Sequence, residues 1–284
     1  MTLFKRTYAF AVSAMVSFLA VSCQDDDLQY AVKDIIVDMQ SPVTFVLDEA
    51  QTRADVTSLS SFYVLCIKGS LTSTYETSAW SASFSYDGSG YYTGGQYWPS
   101  TSTTYSFYAS NKIMTTSVSG TYITAEPLTD VVVAKVSSAT YKQIVPLTFN
   151  HIYAKIGYCK VSAPSGYTVQ GVSVKITPYT GGRYYPYKDS WSNQTSSTIT
   201  LASSIDNTTS RENLIVPGTY TLNVAYTLAK DAYTESFSKT LSLTFVAGKK
   251  NNIEITLPAG NATTPGGGVV IDPWEGDDDI IEEM

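Results

Sequence analysis

Apolar residues take every second position over long stretches of this chain. Tyr220, Leu222, Val224, Tyr226 and Leu228 alternate with Thr221, Asn223, Ala225 and Thr227, the two-residue period of a strand with one face on a core and the other in water. The same period runs through Val43, Phe45 and Leu47, through Val172, Val174 and Ile176, through Leu241, Leu243 and Phe245, and through Ile253, Ile255 and Leu257. Further strands are expected at 62–68, at 80–86 closing on the turn signal Asp87-Gly88-Ser89-Gly90, at 91–99 and at 105–110. Ile35, Val37 and Met39 give an earlier short strand, broken by Gln40-Ser41-Pro42 before Val43. Thr129 to Ala134 is continuously apolar after Asp130, which suits a strand covered on both faces. Gly248 to Asn252 reads as a turn joining the last strands into an antiparallel meander, and Thr180 to Trp191, rich in Gly, Tyr and Trp, reads as a loop. Beyond the N-terminal leader no long helical period occurs, so the expected class is all-β.

The two ends depart from this pattern. Lys5 and Arg6 precede an apolar run from Tyr8 to Ala20 that ends in small residues, the layout of a secretory signal peptide. At about 13 residues it is too short for a comfortable bilayer span, so residues 1–22 are expected to be cut away before Cys23. A cysteine at this place resembles a bacterial lipoprotein signal, whose thiol is acylated and becomes the new N-terminus. Gln24-Asp25-Asp26-Asp27 resembles the acidic tract that directs some lipoproteins of Bacteroidales-type bacteria to the outer face of the outer membrane. The expected site is therefore the cell surface, with membrane lipid as a partner through Cys23. Asp48 to Asp55 is polar and aperiodic, an exposed loop of the kind proteases cut. At the other end, Ala259 to Gly268 is a Gly/Thr/Pro linker. It leads to the apolar island Val269-Val270-Ile271, then to Trp274 and an acidic finish that has no place in a closed sandwich.

Of 284 residues, about 260 remain after the leader, enough for one large or two ordinary domains. Two are expected, over 23–146 and 147–258, followed by the tail 259–284. The last thirteen residues carry seven acidic side chains, which equals the whole formal charge of −7. No basic stripe is left to neutralise phosphates, and nucleic acid is excluded as a partner. Cys66 and Cys159 sit inside apolar strand-like runs and read as small buried hydrophobes; a bridge between them stays open in an oxidising compartment. The single histidine, His151, lies in a strand-like run beside Phe149 and Ile152. There is no Gly-x-Ser-x-Gly elbow, no Cys/His spacing for zinc and no calcium loop, so no enzyme, metal or cofactor is expected. Tyr91, Tyr92, Tyr97 and Trp98, or Tyr184, Tyr185, Tyr187 and Trp191, are either edge-of-core residues or platforms for sugar rings. The second alternative gives a competing function, a glycan-binding surface lipoprotein.

Several of these pieces, in this order, resemble the fimbrillin family, the pilin-like lipoproteins of Bacteroidales type V pili. They are Cys23, then Thr52-Arg53-Ala54-Asp55 after two N-terminal strands, then Trp98-Pro99 with Phe107-Tyr108-Ala109. They continue with Asp130-Val131-Val132-Val133-Ala134, Leu147 to Lys155, and Ala247-Gly248-Lys249-Lys250-Asn251 before a last strand. The resemblance implies two transthyretin-like β-sandwich domains in tandem and a structural role in a cell-surface fimbria that supports adhesion, with other pilus subunits as partners. It also implies cleavage by an arginine-specific protease between Arg53 and Ala54. Loss of residues 24–53 would open a groove in the first domain for a strand of another subunit. The C-terminal segment, with Val269, Val270, Ile271 and Trp274, is the expected donor. An anchor that keeps its lipid, or a tip subunit, are the other roles within such a pilus.

Overall fold

The computed structural model describes residues 41–47, 59–69, 78–117, 120–258 and 266–273. Cys23, Arg53, Ala54, Trp274 and the earlier N-terminal strand lie outside these. Among the described residues there are twenty strands and no helix, so the chain is an all-β protein built of sandwiched sheets.

The largest sheet has eight strands. In spatial order they are β10 (Asn150–His151), β8 (Val132–Ala139), β5 (Tyr105–Ser110), β2 (Ser61–Lys68), β3 (Ser78–Tyr86), β4 (Tyr92–Tyr97), β1 (Pro42–Leu47) and β9 (Ile144–Leu147). β1 is four places from β5 in this order, and a flat sheet would separate the two by about 19 Å. The Phe45 and Phe107 rings are nevertheless 5.2 Å apart, edge to face. The sheet therefore curls over and closes on its own core, which gathers Val43, Phe45, Phe62, Phe84, Phe107, Val145 and Phe149. The alternation read at Val43, Phe45 and Leu47 is the buried face of β1. In the apolar run that opens β8, Val132 and Ala134 join this core while Val131 and Val133 join a neighbouring one. Both faces are covered, as the unbroken apolar pattern requires.

The second sandwich packs two four-stranded sheets. One is β16 (Asn213–Ile215), β11 (Ala154–Ser162), β19 (Lys249–Thr256), β20 (Gly266–Pro273); the other is β15 (Ile199–Ala202), β12 (Thr168–Ile176), β17 (Gly218–Lys230), β18 (Tyr233–Phe245). Val174, Ile176, Leu222 and Val224 face Ile156, Val161, Ile253 and Ile255 across the core. β17 and β18 are the antiparallel pair that the alternation announces. The expected meander stops there, because β19 crosses to the opposite sheet and pairs parallel with β11. The crossing is fixed by Gly248, at φ +61° with its N–H bonded to the Tyr153 carbonyl at 2.7 Å, and by Asn251, whose buried side chain donates to the Lys155 carbonyl at 3.1 Å. Where β11 and β19 slip register, Asn252 Oδ1 accepts from the Tyr158 N–H at 3.2 Å. A Cβ on Gly157 would stand 1.9 Å from that oxygen, so the bulge needs glycine.

A third sheet joins the two halves of the chain. Its order is β14 (Ser190–Ser196), β13 (Tyr179–Tyr185), β7 (Gly120–Ala125), β6 (Met114–Ser117). The stretch expected as a loop, Thr180 to Trp191, is thus mostly a hairpin. Gly181 and Gly182 look like breakers, but they are places where backbones meet. A Cβ would lie 2.7 Å from the Ala125 carbonyl oxygen at Gly181 and 2.8 Å from that of Ser192 at Gly182. β10, past residue 146, still pairs with β8 of the first sheet. Cys66 and Cys159 are buried, free, and in separate cores. Burial pushes both thiols up to about 12, which makes them packing residues rather than nucleophiles.

Candidate functional site

Two features stand out as places where another molecule could engage. The first is the position of β1. It lies between β4, to which it runs antiparallel, and β9, to which it runs parallel over Thr44 to Leu47. Phe45 is completely buried against Phe84 at 4.8 Å, Phe107 at 5.2 Å and Phe62 at 6.0 Å. β1 is therefore an interior strand of the sheet, and it is contributed by residues that precede Arg53. The candidate donor residues Val269, Val270 and Ile271 lie on β20, an edge strand paired antiparallel with β19 over eight positions from Lys249↔Pro273 to Thr256↔Gly266. The strand starts at Gly266, inside what reads as linker, because its backbone completes the ladder along Glu254, Ile255 and Thr256.

The second feature is a cleft of about 620 Å³ where the first sheet, the joining sheet and two turns of the second sandwich meet. Lys135, Thr148 and Asn150 come from the first half of this wall, Tyr184, Asp189 and Trp191 from the β13–β14 hairpin. The hairpin turn puts Asp189 at φ +50°. Its carboxylate takes both short contacts of the Lys135 ammonium, at 2.7 Å each, and the Tyr184 hydroxyl at 2.6 Å. Lys135 also donates to the Pro186 carbonyl at 3.0 Å. Burial raises the Tyr184 phenol, and its hydrogen bond to the Asp189 carboxylate raises it further. His151 forms part of the cleft floor, with Nδ1 2.7 Å from Asp130 Oδ2 and its side chain only 1% exposed.

Asp189 is pulled two ways. Burial raises its carboxyl, while hydrogen bonds from Lys135 and Tyr184 and the Lys135 charge lower it, and the balance lies below the ordinary value of 3.8. A carboxyl depressed in the folded state stabilises fully above its unfolded value, and the contribution vanishes as pH falls through the folded one. Melting temperatures of the unaltered protein are therefore expected to drop more steeply than those of Asp189→Asn as pH falls below 3.8. Superimposable acid limbs would remove Asp189 from the account.

The two aromatic constellations divide. Tyr92 and Trp98 are core residues, while Tyr91 and Tyr97 point outward; they form no common platform. Tyr184 is buried, and Tyr185 and Tyr187 pack edge to face against each other. Of that group Tyr184 and Trp191 line the cleft, Tyr184 as a buried residue and Trp191 as a half-buried ring packed on Tyr153 at 5.2 Å and on Tyr184 at 5.3 Å. Sequence reading missed Lys135, Thr148, Asn150 and Asp189, since no local motif links residues from such distant segments. Among the described residues no group of three His, Cys, Asp or Glu side chains is placed to hold a metal ion.

A family model described as fimbrillin-like matches residues 52–274. The chain belongs to the fimbrillin-like family, whose type is structural rather than catalytic and whose place is the cell-surface fimbrium. Comparison with curated protein sequences gave no match. Among solved structures, a candidate cell adhesion protein from Bacteroides ovatus aligns over 84% of this chain and 99% of its own, at 11% identity and a TM-score of 0.50. A candidate cell adhesion protein from Parabacteroides distasonis aligns over 84% and 98%, at 9% identity and a TM-score of 0.50. A fimbrial assembly protein from Parabacteroides distasonis aligns over 82% and 99%, at 12% identity and a TM-score of 0.41.

Proposed function

We propose that this chain is a polymerising subunit of a surface fimbria. It is exported to the outer membrane as a lipoprotein acylated on Cys23 and cut between Arg53 and Ala54, and it then takes a strand from another subunit in place of β1. The observation that carries this reading is that β1 is an interior strand of the first sheet and comes from residues before Arg53. Loss of residues 24–53 leaves facing edges on β4 and β9 and uncovers the apolar positions that Val43, Phe45 and Leu47 fill. Each such side chain contributes about 1.5–3 kcal/mol when buried, so an opened slot strongly favours a replacement with a free backbone edge. β20 is eight residues long against six for β1, which is long enough to span the slot. The family match beginning at residue 52, one residue before Arg53, also supports the reading.

Mass spectrometry of protein sheared from the cell surface is the direct check. The expected mature N-terminus is Ala54. Recovery of only intact chains bearing lipid on Cys23 would instead make the protein an uncut anchor.

A further inference from the structure

We propose that the cleft between the two halves of the chain binds a neutral, hydroxyl-rich ligand of the saccharide class. At about 620 Å³ it falls within the roughly 300–1,000 Å³ of small-molecule sites, and it lies at a junction of packed units, where such sites concentrate. The ligand class follows from which polar atoms are already engaged. An ammonium has three donors, and Lys135 meets three acceptors, Pro186 O and both Asp189 oxygens. Its charge is neutralised and its donors are occupied, so it does not recruit an anion.

The carboxylate is different. It offers about four acceptor sites, of which Lys135 and Tyr184 use three, two on Oδ1 and one on Oδ2. Oδ2 keeps acceptor capacity, and the Asp189 side chain is 65% exposed. The lysine and the phenol hold it in place, so it is oriented before any ligand arrives. Asn150, exposed on the same wall, adds an amide with both donor and acceptor, whose one contact among the described residues is a 3.4 Å donation to the Thr148 carbonyl. Trp191 supplies an aromatic surface, held from behind by Tyr153 and Tyr184. A fixed acceptor, an amide and an indole match a sugar ring, which presents hydroxyls at its rim and an apolar C–H face to an aromatic surface.

The test is saturation-transfer NMR and titration calorimetry on the full chain, using the methyl glycosides of galactose, glucose, mannose and N-acetylglucosamine as probes, with N-acetylneuraminic acid as the anionic comparison. At least one neutral glycoside is expected to bind saturably and better than the acid. Asn150→Ala, at an exposed position whose loss leaves the core intact, is expected to weaken binding about three- to tenfold. Trp191→Phe keeps a ring packed on Tyr153 and is expected to weaken it by a comparable factor. No saturable binding to any glycoside, equal affinity in both variants and the unaltered chain, or preference for the anionic sugar would each overturn the proposal. None of these readouts involves fibres or the Arg53 cut, so the site stands or falls apart from the polymerisation reading.

Discussion

Phe45→Ala is expected to lower the stability of the uncut chain by about 3–5 kcal/mol, the range for truncating a fully buried phenylalanine. The ring has no exposed surface and sits edge to face against Phe84 and Phe107. Truncation thus removes both its transfer free energy and the aromatic contacts, worth about a further 0.5–1.5 kcal/mol each. The three phenylalanines around it belong to β2, β3 and β5, which hold one another in the ladder and cannot collapse into the gap. Thr44→Ala on the same strand points away from the core and should change stability by about 0.5 kcal/mol or less. Denaturant unfolding of the two variants decides the matter. Equal midpoints would mean that β1 is peripheral and that its loss opens no slot in the sheet. A chain beginning at Ala54 lacks the residue altogether, so the penalty applies to the precursor and not to the assembled form.

Removing residues 266–284 is expected to abolish fibres seen by electron microscopy while leaving a folded monomer. β20 is an edge strand, and its loss uncovers β19 on one side but leaves the parallel pairing of β19 with β11 and the core of the second sandwich in place. Circular dichroism should therefore retain the β signature with a lowered melting point. Fibres of normal length from the truncated chain would refute the C-terminal donor. A truncated chain that fails to fold would be replaced by one in which Val269 and Ile271 are changed to Asp, which keeps the backbone but places charge on the strand.

Much of the fold is legible in the chain because a strand with one wet face writes a two-residue period. Val43, Phe45 and Leu47, Val172 to Ile176 and Tyr220 to Leu228 announce themselves in this way, and Val131 to Ala134 announce a strand covered on both sides. What is not legible depends on partners far away in sequence. Gly181 and Gly182 carry no side chain to alternate, so the hairpin strand they lie in reads as a loop until Ala125 and Ser192 are seen against it. β19 has the period of a strand, but nothing in its residues says that it pairs with β11 rather than with β18. Gly266 to Gly268 become strand only because Thr256, Ile255 and Glu254 offer them a ladder. His151, placed by the sequence in a strand-like apolar run, is a packed residue whose imidazole is enclosed beside Asp130. The cleft beside it draws on strands and turns from Val133 to Gly248, and no pattern along the chain could have assembled it.

The joining sheet bears on how a fimbria of such subunits would carry tension. A chain of two sandwiches linked by one covalent segment would flex at that segment like beads on a string. Here the backbone passes between the halves near residues 147–154, and a second connection runs beside it through the ladder Ile123↔Tyr184, Thr124↔Arg183 and Ala125↔Gly182. The Lys135–Asp189 ion pair adds a third tie close by. A pull that separates the halves must shear or peel that ladder before the linking segment can extend, so each subunit resists bending as a short strut.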